Sequence, residues 1–448
     1  GWLIVASLVF YAWWKPSYLP LLLFSVLFNY LLGHIVGRAS RYRRPALIFG
    51  IAVNLGLLGF FKYADFTLAN IERLTDLPMP HLELALPLAI SFFTFQQIAY
   101  LVDSYRGLTR EYDFLRYTLF VTFFPQLIAG PIVHHKEMIP QFQRRRGRLL
   151  HYRNISLGIF ILTLGLFKKV IIADYFATVA TPGFDGGQAL DLFSAWATSL
   201  SYTFQLYFDF SGYSDMAIGA ALMFNIRLPF NFDSPYKARD IQEFWRRWHI
   251  TLSRFLRDYV YIPLGGGRGS LARVSRNLMI TFLLGGLWHG AGWTFVFWGF
   301  LHGAAMVIHR VWRYLGGRLP DWLAWFVTFN FINASWVFFR ANSWDDALRV
   351  LRGMVGLEGI TLSDKLLRLA PFQALADMAP TLFGHTTLGR TPYVALLGAF
   401  LVTLRLRNSQ QWMRDFRTTP ASLVLITLVF MAILMNLSKV SEFLYFNF

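Results

Sequence analysis

The 448-residue chain contains no cysteine. A thiol nucleophile, a disulfide framework, a cysteine-ligated zinc site and S-palmitoylation are thereby excluded together. Charge is also scarce: Asp, Glu, Lys and Arg make up 15% of the chain, where a soluble domain carries about 25%. The acidic sign is the rarer one, 25 residues against 42 Lys and Arg, for a net charge of +17. No Pro- or Ser-rich linker divides the chain and no solenoid-length period repeats, so a single domain over 1–448 is the economical reading. No charged region precedes the apolar stretch at Trp2–Trp14, which argues against a signal peptide. A chain that begins at Gly1 inside that stretch reads as truncated at its N-terminus. What is abundant is apolar: 55% hydrophobic residues, with 45 Phe, 20 Tyr and 15 Trp, a composition that rules out disorder. The basic charge lies between greasy segments, a pattern the positive-inside rule explains more simply than nucleic-acid binding. The expectation is an all-α polytopic membrane protein.

A bilayer span takes about 20 mostly apolar residues. On that measure about eleven spans follow one another, at 2–14, 18–37, 46–61, 84–102, 117–133, 155–180, 191–226, 278–299 continuing to 309, 321–339, 391–404 and 421–437, some of them broken or re-entrant. Five blocks hold the charge: 38–44 (net +4), 136–153 (+5, with Arg145, Arg146 and Arg148 among its cations), 241–276 (+5), 310–318 (+3) and 405–417 (+3). Together they give +20 and leave −3 for everything else. The blocks are therefore placed in the cytoplasm, with 62–83 and 340–390 outside. Three apolar segments separate 38–44 from 136–153, where an even number must cross. One of 84–102 (with Pro87) and 117–133 (with Pro125 and Pro131) dips in without crossing, and the sequence leaves open which.

Three segments carry candidate chemistry. Residues 241–262, IQEFWRRWHITLSRFLRDYVYI, place apolar side chains at 241, 244, 245, 248, 252, 255, 256 and 259, the spacing of one helical face. Asp240 is the expected N-cap, with Glu243 following, and Pro263 is the stop. Arg246, Arg247, Arg254 and Arg257 fall on the other side, where the plain reading is an interfacial helix meeting lipid phosphates. His249 sits at the border of the apolar face, where a lipid-facing helix gains nothing from an imidazole. In the second segment, 282–303, His289 stands in mid-span among Gly285, Gly286, Gly290 and Gly292. A titratable group at that depth is functional by default, and the bland alternative is a neutral histidine bonded to a neighbouring helix. His302, on the same segment, reads as structural. In the third, YFDFSGYSDM (207–216), Asp209 and Asp215 must face a cavity or pair with cations, and Ser211 lies one turn from Asp215. A structural seam paired to arginines of the 241–262 helix stands even with a functional reading.

Other features are weaker. Lys168 and Lys169 interrupt a span and could line a cavity or bind phosphate. His134, His135 and Glu137 lack the i, i+4 spacing of a helical metal pair, so no metal centre is expected. GGGRGS (265–270) lacks the P-loop spacing and reads as a turn. A neutral imidazole is the usual general base toward a hydroxyl acceptor, and arginines can hold a phosphorylated donor such as acyl-CoA. Two histidines, one on an Arg-rich helix and one at membrane depth, suit that chemistry.

FWRRWH (244–249) followed by LWHGAGW (287–293) resembles the membrane-bound O-acyltransferase family. YFDFSGYSDMAIG (207–219), FPQLIAGPI (124–132), GLFKKVIIAD (165–174), RDYVYIPLGG (257–266) and EFLYFNF (442–448) are similar to its bacterial alginate O-acetyltransferase branch. The resemblance runs from near the N-terminus to Phe448. It implies helices around a thinned centre with a tunnel between the two faces, in a bacterial inner membrane. It implies acetyl transfer from a cytoplasmic donor, acetyl-CoA, with no permanently bound cofactor, to an acceptor reached from the periplasm. His289 matches the family's catalytic histidine and His249 its second site position. Arg246, Arg247 and Arg254, with Trp245, Trp288, Asp209, Ser211 and Asp215, make up the expected substrate- and donor-binding set. A partner acetyltransferase of the SGNH-hydrolase type, a polysaccharide synthesis and secretion complex and membrane lipids are the implied partners, and nucleic acid is not. The acceptor stays open among alginate, cellulose and other polymers, with D-alanyl transfer to teichoic acid as a related alternative. A transporter of acyl groups or polysaccharide, or a scaffold, would also account for intramembrane polar residues. The transporter does not account for two histidines combined with an Arg-rich helix, and the scaffold would be favoured by loss of His289 without consequence.

Overall fold

The computed structural model describes the chain except residues 39, 110–112, 129, 145–148, 363–382, 386–388, 390, 438–443 and 445–448. Arg145, Arg146 and Arg148, all of EFLYFNF but Leu444, and much of 340–390 therefore lie outside the described residues. The N-terminal helices α1 (Trp2–Trp14), α2 (Leu19–Gly37) and α3 (Arg43–Thr75) are followed by α4 (Ile90–Tyr105). Phe24, Leu27, Leu31 and Ile35 of α2 and Ile48, Phe49, Leu55 and Phe60 of α3 are exposed. Contiguous apolar surface on this scale suits lipid rather than water. Four helical stretches are long and apolar enough to cross a membrane: Pro16–Gly37, Arg43–Thr75, Tyr152–Asp185 and Asp321–Arg340. Several other helices are shorter or carry more polar residues.

The two apolar segments at 84–102 and 117–133 fold differently. α4 is about 24 Å long and is buried along nearly its whole length, Gln96, Gln97 and Asp103 included. Residues 117–133 instead form α5 (Phe114–Thr122) and the four-residue α6 (Phe124–Leu127). At about 14 Å, α5 cannot cross. The chain then enters α7 (His135–Gln143).

α8 (Tyr152–Leu166) runs through a π-helical segment, Phe167–Ala173, into α9 (Asp174–Asp185), and packs along the central α10 (Leu192–Met223). Two glycine pairs set that approach. A Cβ on Gly158 would lie 2.7 Å from the Gly219 carbonyl oxygen, and one on Gly165 would lie 2.5 Å from the Gly212 oxygen. The helices are thus antiparallel and in backbone contact. The π segment, which widens the helical turn, lets the consecutive Lys168 and Lys169 both reach α10.

The 241–262 segment is not the single amphipathic helix expected from its periodicity. α11 (Ile241–Arg247) is capped by Asp240, which accepts the Glu243 N–H at 2.7 Å. The chain breaks at Trp248–His249, resumes as α12 (Ile250–Leu256), and ends in a π turn, Arg257–Tyr261, before Pro263. Asn231 causes the break from outside: its backbone oxygen accepts the Ile250 N–H at 3.0 Å and its side-chain oxygen accepts the Thr251 hydroxyl at 2.7 Å. The expected span 278–299 is likewise a hairpin, α13 (Leu271–His289) and α14 (Trp293–Tyr314). Its two limbs begin and end in basic blocks, as the positive-inside rule requires. α15 (Asp321–Arg340), α16 (Trp344–Met354) and a three-residue parallel ladder between β1 (Ile360–Leu362) and β2 (Phe383–His385) follow. The described chain then forms α17 (Thr391–Arg405), α18 (Ser409–Asp415) and α19 (Pro420–Leu434).

Candidate active site

His289 is the last residue of α13, about 20 Å along the helix from Arg276 at its basic end. It therefore lies at the turn of the hairpin, at the end away from the basic blocks, rather than in the middle of a span. α13 starts because Ser270 accepts the Arg273 N–H, and it stops because Gly290 takes an extended conformation. Gly286 brings α14 close: a Cβ there would lie 2.4 Å from the Phe295 oxygen. His249 arrives from the other direction, on the break between α11 and α12, with φ +41°. A left-handed backbone is uncommon for a residue with a side chain and is characteristic of strained functional positions.

The two imidazole centroids are 6.4 Å apart. Aromatic rings enclose them. Trp288, Trp298 and Phe339 lie 4.9, 5.2 and 5.1 Å from His289, and Phe210 of α10 lies edge-on to His249 at 4.6 Å. His249 is fully buried, whereas His289 keeps partial exposure, so a void able to admit water reaches it. Neither ring nitrogen of His249, nor the indole nitrogen of Trp288 or of Trp298, has a hydrogen-bond partner among the described residues. Buried polar atoms are nearly always paired. Four unpaired ones around one partly open histidine mark a place where a ligand or water completes the bonding.

Several residues expected at the site make their bonds away from the histidine pair. Asp209 and Asp215 do not meet the arginines of 241–262. Lys169 bonds Asp209 at 2.6 Å and Asp174 at 2.9 Å, and Lys168 bonds Asp215 and Ser409, each at 2.6 Å. In a low-dielectric interior a carboxylate takes the nearest buried cation, and the π segment supplies two. Ser211 lines a small cleft with Asp215 and Asn231, on the side of α10 facing Lys168. These residues fix α10, and through Phe210 the wall behind His249.

Trp245 donates its indole N–H to Nδ1 of His302 at 3.2 Å. His302 therefore carries its proton on Nε2 and bonds Ser335 at 3.0 Å, and Ser335 donates to the Ile332 oxygen. His302 is the structural histidine expected, and Trp245 is committed to it. Of the arginines, Arg246 is exposed, Arg247 is held by Glu243 at 2.8 Å, and Arg254 is held by Glu137 at 2.5 Å. Arg254 also borders a small cleft lined by His134, Tyr259, Phe95 and Phe255, and Phe95 stacks on Trp288 at 5.1 Å.

His134 and His135 gather with Asp103, their ligand-capable atoms lying within 4.8 Å of one another. Nε2 of each contacts the same carboxylate oxygen, at 2.8 and 3.0 Å. Nδ1 of His134 accepts the Lys136 N–H at 3.4 Å. Asp103, which the helical spacing does not bring in, completes a group of three side chains of the kind that can hold a metal ion.

Sequence reasoning missed Lys62 and Tyr63. The apolar segment 46–61 stops at Lys62, so a lone lysine there passed for the membrane boundary. In the structure α3 continues to Thr75, and both side chains reach the end of α13.

Fold and site together define a polytopic helical membrane protein with a histidine pair enclosed in aromatic rings at the end of a helix hairpin. Residues 79–339 match the model of the MBOAT, membrane-bound O-acyltransferase family. The chain is 49% identical to a peptidoglycan O-acetyltransferase of Helicobacter pylori over 483 aligned positions, covering all of this chain and 91% of that protein. It is 43% identical to a Pseudomonas aeruginosa protein named "Probable alginate O-acetylase AlgI", over 81% of this chain and 71% of that one. A teichoic acid D-alanyltransferase of Streptococcus thermophilus is 29% identical over 56% of this chain and 68% of its own. The chain belongs to the membrane-bound O-acyltransferase family and is an acyltransferase.

Proposed function

We propose that this enzyme moves an acetyl group from acetyl-CoA, taken from the cytoplasm, to a hydroxyl of a cell-envelope glycan, with His289 as general base. The site lies in the bacterial inner membrane. The observation that carries the reading is the set of four unpaired buried ring nitrogens around a partly exposed His289. His289 takes the proton of the acceptor hydroxyl as its oxygen attacks the thioester carbonyl carbon. Collapse of the tetrahedral intermediate breaks the C–S bond, and the imidazolium returns the proton to the leaving thiolate. No protein thiol is needed, in keeping with a chain that lacks one. His249, sealed behind His289 with both nitrogens unpaired, orients donor or acceptor.

Peptidoglycan is the acceptor to test first, because a relative bearing that name is 49% identical across this whole chain. An exopolysaccharide such as alginate, delivered through an SGNH-type partner and a secretion complex, is the second reading, favoured by the 43% identity to the alginate-named relative. D-alanyl transfer has the weaker support of 29% identity over about half the chain. The test is the base-labile acetyl content of purified peptidoglycan and of secreted polysaccharide in cells with the gene deleted, restored, or restored as His289→Ala. Loss of acetyl from one polymer in both the deletion and the His289→Ala strain, at matched protein level, supports the reading. Near-normal acetylation with His289→Ala would sink the general-base assignment.

A further inference from the structure

We infer that Lys62 is a positioning residue for His289: its ammonium group clamps the carbonyl end of α13 and so holds the base in place. The inference rests on the assignment of His289 as general base.

A helix ends with backbone carbonyls that no following N–H satisfies, and these form the negative pole of its dipole. In α13 that pole coincides with the active residue. The final three carbonyls, of Leu287, Trp288 and His289, are all taken by two consecutive side chains of α3. Tyr63 donates its hydroxyl to the Leu287 oxygen. Lys62 Nζ donates to the Trp288 oxygen at 2.5 Å and to the His289 oxygen at 3.0 Å. The same Nζ lies 5.9 Å from the Trp288 ring centroid. One ammonium thus bonds the peptide units on both sides of the His289 Cα, which fixes the direction of its side chain.

The placement is costly, and so informative. Lysine inside a membrane helix is expensive, and such residues are retained where they bind something. Here the bound groups are the backbone of the histidine itself. A helix end could be satisfied more cheaply by water or a hydroxyl, as Tyr63 does one residue earlier. Farther along α3, Asn70 accepts the Trp293 indole N–H at 2.8 Å and Phe66 packs against the same indole at 5.9 Å. The hairpin is therefore docked to α3 independently of Lys62, which leaves Lys62 free to act locally at the base. Orientation of a catalytic group to within a fraction of an ångström is where such a clamp acts on rate.

The test uses the full chain in native membrane vesicles, with acetyl-CoA as the donor probe and the glycan acetylated by wild type as acceptor. Lys62→Met, Lys62→Gln, Lys62→Arg and His289→Ala are compared at matched protein level. Lys62→Met is expected to lower kcat by about 10²-fold, the scale of a misplaced reacting group, with KM for acetyl-CoA within about twofold. Lys62→Gln, which keeps a donor without charge, falls between, and Lys62→Arg recovers most of kcat. Should Lys62→Met fail to accumulate, the order of Lys62→Arg above Lys62→Gln decides. Wild-type kcat in Lys62→Met, a loss confined to KM, or equal kcat in the Arg and Gln variants overturns the inference. Any of these results alongside an inactive His289→Ala rejects the clamp alone, whereas an active His289→Ala rejects the underlying base assignment.

Discussion

His249 and His289 come within 6.4 Å of each other, ring to ring, on two different kinds of backbone. His289 ends a regular helix; His249 sits in a left-handed break that Asn231 holds open. The break turns the imidazole inward, where a continuous helix would have left it on the border of an amphipathic face. The pair is therefore built by tertiary contacts to α10 and to the 231 loop as much as by its own segment.

This geometry predicts the phenotype of His249→Asn. Asn tolerates positive φ better than most residues, so the break and the fold survive, with a thermal midpoint within a few degrees of wild type in nanodiscs. Acetyl transfer should fall by about 10²-fold or more, the typical contribution of a positioned acid–base group. A folded His249→Asn enzyme with full activity would show that the second imidazole is dispensable.

The glycine crossing of α8 and α10 makes a paired prediction. A Cβ at Gly165 would lie 2.5 Å from one backbone oxygen and 2.7 Å from the Met216 nitrogen, contacts that only separation of the helices relieves. Gly165→Ala should destabilise by about 1–3 kcal/mol or more, the range of core overpacking. Gly59, in α3, has nothing within 4 Å of its virtual Cβ, so Gly59→Ala should be neutral or slightly stabilising. Thermal unfolding of both variants in the same lipid decides, and equal midpoints would contradict the backbone contact.

What the sequence made legible follows from what periodicity and composition can encode. The basic blocks and the two histidines were visible because a charge or an imidazole in an apolar context has few bland explanations. The break at His249 was not, because the apolar spacing continues from Trp248 to Leu252 and the interruption is imposed by Asn231, distant in sequence. The lysine partners of Asp209 and Asp215 were hidden for a related reason. Adjacent lysines on an α-helix point about 100° apart, and only the π segment lets both reach α10. Lys62 was hidden by its position at the end of an apolar run, where a lysine ordinarily marks the interface.

The buried ion pairs predict an asymmetric mutant series. Lys169 and Asp209 are almost wholly buried and 2.6 Å apart. Removing the lysine takes from Asp209 its 2.6 Å cation, at about 3–5 kcal/mol, whereas removing Asp209 leaves Lys169 its bond to Asp174. Lys169→Met should therefore lose most of its folded protein in membranes, whereas the double variant Lys169→Met with Asp209→Asn should recover a large part. Because Phe210 adjoins Asp209 and backs His249, the double variant should retain more fold than activity. Recovery of neither, or identical losses in single and double variants, would mean that the pair does not couple.

The last prediction concerns acid. His135, at the start of α7, is held below its ordinary value of 6.5 because burial disfavours its cation, outweighing the opposite pull of Asp103. The sign follows directly: below pH 6.5 the unfolded chain binds a proton that the folded chain resists, so stability falls as pH falls. The limiting slope for one such group is about 1.4 kcal/mol per pH unit. Thermal midpoints in nanodiscs should drop between about pH 7 and pH 5. In His135→Phe, which keeps a ring against Tyr100 and Phe120, the midpoint should start lower at pH 7 through loss of the bond to Asp103, and should then depend less on pH. An unchanged slope in that variant would assign the acid sensitivity to another group.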